Sequence, residues 1–226
     1  MDWNSIAKHS REAFRVGVNE WIGRARIQGG TVRGPSALLT PGSLVSETNI
    51  EIRMLQILER SQVPPDVAVP LAKVLGGAWN EWAAGFQIQI PKAYPSFAAV
   101  PGHFAPPTHA AGATSLSQGS SVGEVSLKAP HLANRLSWAL RMHSTTKVAG
   151  ETPDLAMKSL AHWVEGSFNE WKNLVTLVGL VGKGPVPTFA PPYVPVGPVI
   201  SGDNISAGPL FAGPRFGKVV LDHQLL

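Results

Sequence analysis

A mainly α fold assembled from repeated helix pairs is what this sequence predicts, and three observations carry that expectation. The triplet Asn-Glu-Trp occurs three times, at Asn19-Glu20-Trp21, Asn80-Glu81-Trp82 and Asn169-Glu170-Trp171. Around each copy the apolar residues fall at i, i+4 and i+7: Phe14/Val18/Trp21, Leu75/Trp79/Trp82 and Val164/Phe168/Trp171. That spacing is the stripe of a helix pressed on a core. Each copy is then followed by an irregular segment and a Pro-Ser or Pro-Thr step, at Pro35-Ser36, Pro95-Ser96 and Pro187-Thr188. A feature that recurs in the same order is the signature of an internal repeat.

Residues 4–27 read as the first helix, capped by Asn4 or Ser5 and ended by Gly29-Gly30. The stretch from Thr31 to Ser46 reads as loop, with Gly34-Pro35 and Pro41-Gly42 as turn signals. A second helix, capped by Ser46 or Thr48, runs to Arg60 with Ile50, Met54, Ile57 and Leu58 on one face. Pro64-Pro65 stops it, and Asp66 caps a helix from Val67 to about Phe86. Gly76-Gly77 inside that helix costs about 1 kcal/mol per residue in propensity, so another helix is expected to pass close there. Pro130 to His143 reads as a fourth helix, and Pro153-Asp154-Leu155-Ala156 repeats Pro65-Asp66-Val67-Ala68 at the start of a fifth. Lys218 to Leu221 is the one segment read as a short strand.

These elements divide the chain into a first partial repeat at 1–46, a second repeat at 47–129, a third at 130–202 and a C-terminal interaction tail at 203–226. The first repeat lacks a leading helix. The whole expectation is mainly α, with long Pro/Gly-rich extended arms and one short C-terminal strand.

Composition narrows function. Charged residues make up 15% of the 226, well below the usual fraction of about a quarter, so surface must be hidden in the core or against other subunits. The net charge of +4 is small and mostly unclustered, and there is no cysteine for a disulfide or thiolate metal site. No apolar segment follows Met1, and the run from Leu174 to Val181 is far shorter than the roughly 20 residues that span a bilayer. A virion or cytoplasmic protein, without a signal peptide and without a membrane span, is the expectation.

Residues 93–123 and 184–202 contain no charged side chain, yet they carry Phe97, Phe104, Phe189 and Tyr193. Free linkers are kept soluble by charge or by uniform Gly/Ser composition, so these arms are expected to lie against something, a neighbouring chain included. Residues 191–198 favour polyproline II, which docks along grooves at low ordering cost. Phe189, Tyr193, Phe211 and Phe216 are the candidate interface anchors.

Catalytic signals are thin. Glu20, Glu81 and Glu170 have no histidine at a fixed offset, and a structural task fits them better: tying down the irregular segments that follow. Gly119-Ser120-Ser121-Val122-Gly123 matches the nucleophile-elbow pattern in letters, but no strand is expected before it. Gly182-Lys183-Gly184 lacks the remaining residues of a phosphate loop. The seven histidines form no His-x-x-x-His pair, and Arg24, Arg26 and Arg33 make only a modest basic cluster. The sequence therefore calls for no catalytic, metal or cofactor residue.

No named family supplies a motif that matches residue by residue. In its general character, cysteine-free, charge-poor, internally duplicated and armed with Pro/Gly-rich segments, the chain is similar to bacteriophage virion proteins of the tail, baseplate or head–tail region. The resemblance implies a non-enzymatic structural subunit that contacts other protein subunits, in a homo- or hetero-oligomeric assembly, through its arms. The alternatives are a basic nucleic-acid accessory protein and a hydrolase acting through Ser121 or a glutamate.

Overall fold

Asp2 accepts a hydrogen bond from the Ser5 backbone N–H at 2.7 Å and so starts α1, Trp3–Gly23. Beyond Arg24 the chain extends instead of winding on, as β1, Ala25–Arg33. In this computed structural model the described residues are 2–33, 36–91, 104–109, 114–144, 153–178, 180–185, 188–190, 194–196, 202–206 and 209–218. Two short strands follow β1: β2, Ser36–Leu39, and β3, Leu44–Ser46. Asn49 then caps α2, Ile50–Arg60, through the Ile52 N–H at 3.1 Å. Pro65, at the first turn where a missing N–H does least harm, opens α3, Pro65–Gly85.

Strand β4, Phe86–Ile90, leaves α3 directly and alternates buried and exposed residues along its length. After it come β5, Phe104–His109; β6, Thr114–Ser115; a 3-10 turn at Leu116–Gln118; β7, Ser120–Ser121; and a second 3-10 turn, Val122–Leu127. Helices α4, Ala129–His143, and α5, Pro153–Leu174, complete the helical set. The remaining strands are β8, Thr176–Leu177; β9, Leu180–Pro185; β10, Thr188–Ala190; β11, Val194–Val196; β12, Gly202–Ser206; and β13, Phe211–Ala212.

The helices close on themselves: α1 packs on α2, α2 on α3, α3 on α4, α4 on α5, and α5 back on α1. The three stripes read from the sequence all face inward, with Phe14, Val18, Leu75, Trp79, Trp82 and Val164 fully buried and Trp21, Phe168 and Trp171 nearly so. Trp79 is the hub. Its ring lies 5.6 Å from Trp21, 4.9 Å from Trp82, 5.5 Å from Trp171 and 5.5 Å from Phe216, tilted or edge-on to each. Gly76 is the site of close helix approach, since a Cβ there would stand 3.1 Å from the Glu51 backbone nitrogen of α2.

The strands join in an antiparallel sheet with the order β5-β9-β12-β1-β2-β4-β7, β3 pairing with the first half of β1. A three-stranded sheet, β13-β8-β6, and a hairpin of β10 with β11 stand apart from it. The expectation of a mainly α protein with one C-terminal strand is therefore overturned: the fold is a mixture of helix and antiparallel sheet. The physical reason is visible in β1. Gly29 and Gly30 do not stop a helix; they sit at φ +80° and +92° where the register of β1 against β12 shifts, as a bulge that lets one strand serve neighbours on both sides. The charge-free arms behave likewise in their backbone, contributing β5, β6, β7, β10 and β11 and the end of β9. Of the segment expected as a terminal strand, Lys218 lies in a bend and residues 219–221 lie outside the described residues.

Candidate functional site

Each Asn-Glu-Trp triplet lies in the last two turns of a long helix, α1, α3 or α5, and a strand starts just beyond that helix. The following segment then returns to the same place. Ala25 and Phe86 each stand four residues past their tryptophan, and their strand partners are Ser46 and Ser121. Ser46 Oγ donates to the Trp21 carbonyl at 3.0 Å and Ser121 Oγ donates to the Trp82 carbonyl at 2.7 Å. Both hydroxyls also accept the N–H two residues on, from Thr48 at 3.3 Å and Gly123 at 3.1 Å. Two separate stretches thus repeat one turn atom for atom. In the third unit Val175, one residue before β8, holds the equivalent position, and the arm residue beside it is Gly213, which has no hydroxyl to give.

This places Ser121 in a structural role, its hydroxyl already engaged as donor and as acceptor. Gly123 next to it is tied to the same spot, because a Cβ there would fall 2.0 Å from the Glu81 carbonyl oxygen. Among the described residues no cluster of three His, Asp or Glu is arranged to hold a metal.

The three glutamates differ in partner. Glu20 pairs with Arg53 of α2 at 2.7 Å. Glu81 takes both Arg135 nitrogens of α4, at 2.9 and 3.0 Å, and the Ser126 hydroxyl of the second 3-10 turn. Glu170 forms no ion pair among the described residues. The asparagines differ too: Asn19 holds the Phe216 backbone, accepting its N–H at 3.0 Å and donating to its carbonyl at 3.1 Å. Asn80 is exposed and Asn169 half-buried. So one Asn and one Glu of the repeated triplet reach the irregular segments, as Asn19 and Glu81.

Partial burial works to raise the Glu81 carboxyl, but hydrogen bonds from Arg135 and Ser126 and the Arg135 charge outweigh it and hold its pKa below the ordinary value. A depressed carboxylate stabilises the fold above its unfolded pKa, and that contribution disappears as pH falls through the folded value. Glu81→Gln is accordingly expected to lower stability at neutral pH by less than about 1 kcal/mol, because the pair is partly exposed. The gap between the two proteins should close as pH falls below the ordinary carboxylate range, in urea titrations at stepped pH.

The three junctions between successive repeats each bring one repeat against the next triplet helix, and the first and third of them are open as clefts lined by a triplet tryptophan. The first, of about 360 Å³, lies between Trp21 with the 42–49 segment and Asn80, Ala83 and Ala84 of α3. The second is spanned by an ion pair of 2.6 Å from Lys172, the residue after Trp171, to Glu124 in the 3-10 turn. The third, of about 350 Å³, lies between Trp171, Phe211 and Arg215 on one side and Asn19, Glu20 and Ile22 of α1 on the other. The sequence marked the triplets but could not pair them with the serines and the returning arms, whose spacings differ from repeat to repeat.

Of the candidate anchors, Phe216 is fully buried and Phe211 half-buried with its ring 5.4 Å from Trp171. Phe189 lies in β10, with only its backbone described, and Tyr193 lies outside the described residues. Of the basic cluster, Arg26 pairs with Glu47 and Arg24 is exposed. No helix among the described residues is long and apolar enough to cross a membrane. No protein-family model matches the chain, and no curated protein or solved structure was found to be similar to it.

Proposed function

We propose that this chain is a non-enzymatic structural subunit of a large protein assembly, of the bacteriophage virion kind, which contacts its neighbours through its charge-free arms. The observation that carries the reading is the β10–β11 hairpin. It contains no ionic side chain and pairs with no other strand among the described residues. An isolated two-stranded hairpin is marginally stable in water, so one of this composition gains most by lying on another surface. Exposed apolar side chains on the helical body support the same reading: Trp138 and Met142 follow one another on α4, each 62% exposed, and Leu155 at the start of α5 is 75% exposed.

The test is removal of residues 187–197 and their replacement by a short Gly/Ser link, which leaves the core segment 209–218 in place. The intact chain is expected to gain mass with concentration in sedimentation velocity, and the variant to stay a folded monomer with an unchanged helical spectrum. An intact chain that stays monomeric throughout, with hairpin amides exchanging as slowly as those of β1, would overturn the reading.

A further inference from the structure

The third junction differs from the second in how its charges are paired. In the second, a turn of the chain brings Glu124 to Lys172 beside the triplet tryptophans, and the pair is largely shielded, at 14% and 23% side-chain exposure. In the third, the residue equivalent to Lys172 is Ile22, and the cation comes from the arm instead, as Arg215. Arg215 has no ion pair among the described residues. Glu20, the carboxylate that lines the third cleft, is already held by Arg53.

Adjoining the cleft, and sharing Trp171, Pro214 and Arg215 with it, is a crevice of about 10 Å³ that Lys218 also lines. That is room for about one water. Ser167 Oγ and Trp171 Nε1, from residues 1% and 2% exposed, have no hydrogen-bond partner among the described residues, and both residues line this crevice. Buried donors without acceptors are costly, so an acceptor or a bridging water at this point relieves them. Aromatic walls from Trp171 and Phe211, a guanidinium without an ion pair among the described residues and donors without partners there in the adjoining crevice together describe a seat for a carboxylate on an otherwise apolar chain.

We propose that the cleft between α5 and α1 receives a carboxylate-bearing turn from a neighbouring subunit, with Arg215 as counter-ion, repeating between molecules the contact that Glu124 makes within one. The proposal rests on the reading of the chain as an assembly subunit and names the chemistry of its partner. Glu170, which lines the crevice and has no ion pair among the described residues, is the group that competes for Arg215.

The probe is a capped peptide with the sequence of residues 120–127, which contains Glu124, set beside the same peptide with glutamine at that position. Added to the full chain, the glutamate peptide is expected to shift the Trp171 indole N–H resonance. The glutamine peptide should bind about tenfold or more weakly, the difference a charged hydrogen bond makes. Arg215→Ala should abolish the difference between the peptides, Glu170→Gln should tighten the glutamate peptide, and added salt should weaken it. Equal binding of the two peptides, or no shift with either, overturns the carboxylate seat. A shift that appears only once residues 219–226 are removed assigns the cleft to the chain's own tail and overturns the partner. The hairpin deletion leaves Arg215 untouched, so a chain that assembles through its hairpin but ignores the peptide fails here alone, and one that binds peptide but never associates fails only the assembly reading.

Discussion

Trp79→Ala is expected to destabilise the protein by about 3–5 kcal/mol, a large part of the roughly 5–15 kcal/mol that holds a domain together. The position is fully buried, and its ring meets aromatic rings from α1, α3, α5 and the 209–218 segment: Phe14 and Trp21, Trp82, Phe168 and Trp171, and Phe216. Each such pair adds about 0.5–1.5 kcal/mol beyond area burial, and a hole at their common centre cannot be refilled by one neighbour without pulling it from another. Its indole N–H has no hydrogen-bond partner among the described residues, so the loss is one of packing and not of a polar contact. Trp79→Phe should therefore recover much of the loss, although it removes the N–H entirely. Urea unfolding followed by circular dichroism checks both. If phenylalanine is as damaging as alanine, the indole N–H has a bonding task that this packing account does not contain.

The same hub explains what could be read in advance and what could not. The helical stripes were legible because a period of 3.6 is written locally, in residues such as Leu75, Trp79 and Trp82 that lie within two turns of each other. The close approach at Gly76 was legible for the same reason. The strands were not. Phe86–Ile90 alternates over only five residues and follows a helix without a break, and β1 hides its bulge behind a Gly-Gly step that equally well ends a helix. Sheet pairing is non-local: β1 finds β12 across most of the chain length, and nothing near Gln28 names Ile205 as its partner. The site followed the same rule. The triplets stood out, but Ser46 and Ser121 gain meaning only once both are seen on a tryptophan carbonyl.

Phe216→Ala is expected to cost about as much, 3–5 kcal/mol by the usual figure for a buried phenylalanine, and it decides how the ring of helices closes. In a sequence without periodicity, among Gly213, Pro214 and Gly217, an aromatic reads as a surface anchor. Here it has no exposed surface and stands edge-on to Phe14, Trp79 and Trp163, so its side chain joins α1, α3 and α5. Its backbone is fixed by Asn19 alone among the triplet asparagines, through both its N–H and its carbonyl. Asn19→Ala leaves that donor and that acceptor to find water or go unpaired, at about 1–3 kcal/mol for each group left buried. The exposed Asn80, equivalent in the repeat, has no such partner to lose, so Asn80→Ala should stay within about 0.5 kcal/mol of the parent. Because ring and clamp act on one segment, the Asn19→Ala/Phe216→Ala double variant should be less damaged than the two losses added, with a coupling of about 0.5–3 kcal/mol. Strict additivity in a double-mutant cycle would mean that Asn19 and the Phe216 ring stabilise different things, and the C-terminal segment would lose its place as the element that joins the last repeat to the first.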